Sequence, residues 1–232
     1  MHRWKKFLEV IILCVWVVVG MFISELIIAY PLYWLLGEHL SEPFWNSLYI
    51  ILADLLRIVI IILLPHFCTK HWQTTREELG LNGLPTWTDV GLGPIAYVAY
   101  IFLFSGALEL MKNFSWFDAT EAQDLGYTTL INPADKIIAF IALAVITPIV
   151  EEIIFRGFLY GKIRARLPML PSILIVSVLF GALHGQWNVA IGVFILSVLN
   201  CSLREITGTI YAGILTHMTM NGLAVFVKYV LL

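Results

Sequence analysis

Two adjacent glutamates and an arginine, Glu151, Glu152 and Arg156, stand in an apolar stretch that begins at Ile137. An ionised side chain at the centre of a membrane helix costs roughly 2.5–3.5 kcal/mol on insertion scales, so such groups usually line a cavity or pair with one another. Successive helical positions turn by about 100°, which puts residues four apart on one face. Glu152 and Arg156 have that spacing, in the favourable order for an ion pair. Glu151 points elsewhere. One carboxylate is thereby neutralised on its own helix and its neighbour is left for chemistry. Two histidines follow on later apolar segments: His184, four residues after Phe180 and four before Asn188, and His217, four before Asn221. On the last segment Thr209, Gly213, His217 and Asn221 fall on one stripe, where small residues let a neighbouring backbone come close below the histidine.

A carboxylate in a low-dielectric site suits a general base that must also return a proton. Glu151 fits that role, with one histidine sharing the same water and the second histidine and an Asn donating to the oxyanion of an attacked carbonyl. The reaction class is amide hydrolysis. The same carboxylate and two imidazoles, Glu151, His184 and His217, also match a two-His, one-carboxylate zinc site with water in the open position. No H-E-x-x-H helix is present to support that version. Singly, each feature has a plainer reading. A membrane histidine more often hydrogen-bonds a neighbouring helix. Glu152 with Arg156 reads as structural, Asp54 with Arg57 as a packing ion pair, Glu25 and Glu109 as interfacial, and His66 and His71 as boundary residues. Two carboxylates, two His and two Asn on three helices argue together for a functional site.

The elements that must position these residues are membrane helices. The 232 residues are 60% hydrophobic and 13% charged, with a mean hydropathy of +0.88. Such a composition excludes an ordinary soluble domain. An all-α polytopic bundle follows, with seven apolar spans at 7–30, 44–66, 89–111, 136–160, 170–185, 188–203 and 209–232. The fifth and sixth are short and separated only by Gly185, Gln186 and Trp187, as in a tight hairpin or re-entrant pair. Rise per residue puts Glu151 nearer one face and His184 nearer the other, a gap that tilt or a kink near Pro148 must close. With a cytoplasmic N-terminus, ten Lys and Arg fall on the inner side and Lys112, Lys136 and Lys228 on the outer, as the positive-inside bias requires. The outer loops are acidic, with Glu38 and Glu42 in one and Asp118, Glu121 and Asp124 in the other. Net charge is −2, and the partners expected are the lipid bilayer and a peptide or membrane-protein substrate, with no nucleic acid.

The first span follows basic residues but is too long for a signal peptide and reads as a retained anchor. Cys14, Cys68 and Cys201 are isolated, so neither a disulfide framework nor a cysteine metal site is indicated. No internal repeat is visible, and one membrane domain over 1–232 is expected, with N-terminal spans and loops over 1–132 and a catalytic core over 133–232. Between spans two and three, Thr75 to Leu81 reads as a short turn that Gly80 ends. Trp116 and Phe117 are placed to anchor at the headgroup level.

E-E-x-x-x-R at Glu151–Arg156, F-x-x-x-H at Phe180–His184 and H-x-x-x-N at His217–Asn221 together resemble the three motifs of the CPBP (Abi) intramembrane proteases. That family includes the CAAX prenyl endopeptidases and bacterial proteins of bacteriocin self-immunity and peptide processing. The resemblance covers roughly residues 133–230, with Glu78–Leu81 similar to an upstream segment. It implies an integral-membrane endopeptidase in which Glu151 activates water with His184, His217 and Asn221 stabilise the oxyanion, and Glu152, Arg156 and Asn188 support them. The family name metalloprotease keeps a divalent metal such as zinc open, while a glutamate-activated water without metal is the preferred reading. Only the core motifs are present, as in the bacterial members, so prenyl-protein processing is not expected. The competing readings are a non-catalytic peptide-binding or bacteriocin-immunity protein and a proton- or ion-coupled transporter, the latter without the inverted repeat that transporters often carry.

Overall fold

The computed structural model describes residues 2–36, 41–70, 72–118, 127 and 130–231. Glu38, His71, Glu121 and Asp124 lie outside them. All regular structure among the described residues is helical, in seven continuous helices. In chain order they are α1 (His2–Leu36), α2 (Glu42–Cys68), α3 (Trp87–Met111), α4 (Pro133–Arg164), α5 (Met169–Ala182), α6 (Trp187–Thr207) and α7 (211–231). Five of them, all but α5 and α7, are long and apolar enough to cross a membrane by length and composition. With this pattern the chain is a multi-pass membrane protein.

Hydrophobicity all round a helix places it in the middle of a bundle, and α4 holds that place. From Ile154 to Tyr160 its residues are buried, Ile154, Phe155, Phe158 and Leu159 with no exposure. The main core gathers these around Val10, Leu13 and Val17 of α1, Ile61 of α2, Val176 and Phe180 of α5 and Val193 of α6. The α4 backbone is unusual as well. Wide π turns run over Ile141–Ile146 and Glu152–Tyr160 and flank the short α-helical Thr147–Glu151, with Pro148 in its first turn. π-Bulges occur often at functional sites because they re-aim side chains along an otherwise regular helix.

The fifth and sixth spans form a helical hairpin. Its turn spans residues 183–186, one residue longer and slightly earlier than the apolar pattern suggests, with α5 ending at Ala182 and α6 starting at Trp187. Between them Gly185 takes a left-handed φ of 72°, a conformation that a side chain would strain. His184 and Asn188 therefore sit on opposite sides of a break, so their spacing of four does not put them on one helical face. The loop after α2 behaves as its residues dictate. Thr75 and Glu78 exchange side chain-to-amide hydrogen bonds, Gly80 closes the turn, and the Gly80 carbonyl accepts from the Ile210 amide at the entry to α7. Trp116 packs on Trp187, ring centroids 5.2 Å apart, and Phe117 is buried rather than standing as a surface anchor.

Candidate active site

The two adjacent carboxylates of α4 have different surroundings. Glu152 and Arg156 are completely buried, and Arg156 Nη1 lies 2.9 Å from Glu152 Oε1. The guanidinium spreads over the Phe180 ring of α5, with Cζ 4.3 Å from its centroid. Such a cation–π contact is worth more in a desolvated setting. Glu152 Oε1 also accepts from Asn200 Nδ2 of α6 at 2.9 Å and from His217 Nδ1 of α7 at 3.0 Å. One carboxylate oxygen, with the Phe180 ring beneath its cation, thus ties four helices together. Sequence reasoning misses Asn200: its partner, Glu152, sits on another helix, so a single amide in an apolar segment carries no local signal. Gly213 makes room for this layer. A Cβ there would stand 3.2 Å from Glu152 Oε2 and 3.3 Å from Asn200 Cβ, so the small residue admits side chains of neighbouring helices, not the backbone approach inferred from the stripe.

Glu151 points away from this layer into a cavity of about 330 Å³, as helical rotation requires. His184, His217 and Asn221 line the same cavity, with Thr147 and Lys228 as its other polar residues. His217 Nε2 is 3.7 Å from Glu151 Oε2, on the far side of the imidazole whose Nδ1 bonds Glu152. Because a carboxylate can only accept, Nδ1 of His217 carries a proton. His184 is fixed in the same way, with its Nδ1 2.8 Å from the Phe180 carbonyl. That nitrogen must donate to the carbonyl, so Nε2 is the acceptor in the neutral ring. Asn221 Nδ2 donates to the Leu143 carbonyl of α4 at 2.9 Å and keeps a second hydrogen on the same nitrogen.

The depth conflict between Glu151 and His184 disappears because α5 has only 14 residues. Its rise is about 21 Å at about 1.5 Å per residue, shorter than a hydrocarbon core of about 30 Å. His184 thus stops at membrane depth and reaches the cavity. Asn188 is buried in the first turn of α6, where its Oδ1 accepts from the Val189 amide at 2.8 Å, and it does not line the cavity. A second polar group borders the site. Arg57 of α2 bridges Asp54 on its own helix and Glu25 of α1, and Asp54 accepts from Thr147 Oγ1 at 2.6 Å. Glu25 is thus one end of an interhelical network, not merely interfacial. Glu109 pairs with Lys112 at an exposed helix end, and His66 Nδ1 accepts from the Thr74 amide.

The donor set does not fit a metal in this arrangement. Among the described residues no three His, Cys, Asp or Glu side chains gather at metal-binding spacing, although Glu151, His184 and His217 border one cavity.

Residues 133–223 match the family model Rce1-like, described as Type II CAAX prenyl endopeptidase Rce1-like. This is a CPBP/CAAX protease family, the one the three motifs resemble, and the matched segment contains every residue of the three. It supports a CAAX-protease-like membrane hydrolase. No curated protein and no solved structure matches the chain.

Proposed function

We propose that the chain is an intramembrane endopeptidase in which Glu151 activates the attacking water. The observation that carries this reading is the convergence of Glu151, His184, His217 and Asn221, from α4, α7 and the α5–α6 turn, on one cavity. Glu151 takes a proton from a water that also donates to His184 Nε2, and the oxygen attacks the scissile carbonyl carbon. The developing oxyanion accepts from the second Asn221 hydrogen and from His217 Nε2, which is a donor when the ring is doubly protonated. Glu152 holds His217 through Nδ1, the orienting task of the carboxylate in hydrolytic triads. Collapse of the tetrahedral intermediate breaks the C–N bond, and the proton on Glu151 passes to the leaving amine.

The reading is tested with purified protein in proteoliposomes and a library of quenched fluorescent peptides. Wild type cleaves members of the library, while Glu151→Ala and His184→Ala do not, although each accumulates in the membrane at wild-type level. A non-catalytic peptide binder or bacteriocin-immunity factor could use the same cavity; peptide binding by wild type with no cleavage, unchanged in Glu151→Gln, would favour that alternative.

A further inference from the structure

We infer that the cavity holding Glu151 opens on the extracytoplasmic side, so that its substrates are peptides, or ends of membrane segments, presented outside the cytoplasm. The inference rests on the protease reading for the word substrate but not for the sidedness. Its first support is the direction of the cavity. From His217 the wall follows α7 through Asn221 and Ala224 to Lys228. That stretch rises about 17 Å toward the helix end, at about 1.5 Å per residue. On α4 the wall climbs from Glu151 through Thr147 to Leu143, toward Pro133, and on α6 it uses Val189 and Val193, close to the first residue. All three helices carry it to the same end of the bundle. Toward the other end, Ile154, Phe155, Arg156, Phe158, Leu159 and Tyr160 close the path, none more than 1% exposed. A separate cavity of about 390 Å³ lies beyond them, bordered by Gly157, Tyr160, Lys162 and Arg204, and includes none of the four reactive side chains.

The second support is charge. The end away from the Glu151 cavity gathers Lys5 and Lys6 at the start of α1, Lys70 and Arg76 after α2, Lys162 and Arg164 at the end of α4 with Arg166 just beyond it, and Arg204. Contacts join these segments at one level: Arg166 to Glu9 at 2.6 Å, Lys162 to the Gln73 carbonyl at 2.6 Å and Arg204 to the Gly157 carbonyl at 2.7 Å. The cavity end has Lys112, Lys136 and Lys228 among acids that include Glu42, Glu109, Asp118 and Asp135. The bias of Lys and Arg toward cytoplasmic ends then puts the basic end inside and the cavity mouth outside. A substrate confined to the cytoplasm meets the closed end.

The test labels thiols in intact bacterial cells expressing full-length protein, with a charged, membrane-impermeant methanethiosulfonate. Cys68, exposed at the basic end of α2, is the internal reporter once Cys14 and Cys201 are replaced by serine. Ile131→Cys, at a position 85% exposed just before α4, reports the side of the membrane, and Ala224→Cys reports access to the cavity. The expected result is reaction at 131 and 224 in intact cells, with Cys68 reacting only after permeabilisation. Reaction of Cys68 in intact cells with position 131 silent overturns the sidedness. Reaction at 131 with 224 silent, before and after permeabilisation, overturns the opening. Neither depends on turnover, so loss of peptide cleavage in wild type would sink the protease reading while leaving this one standing.

Discussion

Glu151 and Glu152 are neighbours in sequence and opposites in situation. Glu152 lies in a buried layer with Arg156, Asn200, His217 and the Phe180 face, while Glu151 borders a cavity shared with two histidines and an amide. A buried ion pair is weak support for stability, because desolvation offsets most of the attraction, yet removing one partner strands the other charge. The layer therefore behaves as a positioning frame, since it fixes the rotation of α4, α5, α6 and α7 around a single ion pair. The cavity side has fewer bonds per side chain and keeps the acceptors and donors a reaction needs. The difference between the two sites is one helical step of about 100°.

The two carboxylates should respond to mutation in opposite ways. Glu151→Gln should lower peptide cleavage by about 10²- to 10⁴-fold, the usual contribution of a general base, with the unfolding midpoint in detergent unchanged. If the midpoint falls as activity does, the two carboxylates share a structural role. Arg156→Met should do the reverse, costing about 3–5 kcal/mol because the Glu152 charge is left buried without its cation. Thermal unfolding and membrane accumulation read this loss. The double variant Glu152→Leu/Arg156→Met should recover part of it, because a neutral pair strands no charge. A double variant less stable than Arg156→Met alone would contradict the desolvation argument.

Gly213→Ala sharpens the same contrast at a smaller scale. The added methyl meets Glu152 Oε2 at 3.2 Å and Asn200 at 3.3 Å, tighter than ordinary contact. Overpacking of this kind costs about 1–3 kcal/mol. Because the strain falls on the layer that holds His217, the variant should lose stability and slow cleavage together, measured on one preparation by unfolding and by initial rate. Stability lost at unchanged rate would mean that His217 does not depend on Glu152 for its orientation.

The chemistry is legible in the sequence to the extent that it announces itself as polarity where lipid excludes it. Glu151, Glu152, Arg156, His184, His217 and Asn221 stand out in apolar segments, and the seven helices follow from hydropathy. What is not legible depends on how helices are rotated against one another. Asn200 and Thr147 are single polar residues whose partners, Glu152 and Asp54, sit on other helices. Asn188 reads as a second His-to-Asn pair only if an unbroken helix runs through Gly185, which the left-handed turn there forbids. Helical spacing describes one rod at a time, so the meeting of Glu151 with His184 also depends on the shortness of α5.

The smallest expected effect lies at the basic end, where charge meets water. Burial pushes the Glu78 carboxyl up, but hydrogen bonds from the Lys162 ammonium and the Thr75 amide, with the Lys162 charge, hold it below the usual glutamate range. A depressed folded-state pKa contributes stability that is fully present above the unfolded value of about 4.3 and is lost as pH falls through the folded value. Stability from this pair should therefore be flat from pH 7 to about pH 5 and decline below about pH 4.3. The Glu78 side chain is 54% exposed, so screening limits the gain to a fraction of a kcal/mol, as for other surface ion pairs. Lys162→Met should remove most of that acid-dependent component, visible as a smaller difference between unfolding midpoints at pH 6 and pH 3.5, and high salt should do the same in wild type. A variant with an unchanged difference would assign the acid response to other carboxylates. Cleavage at neutral pH should not respond, because Lys162 borders the cavity that the buried stretch Ile154–Tyr160 separates from Glu151. A rate change there would mean that the two ends of the bundle are coupled through α4, erasing the division of labour between the closed layer and the open cavity.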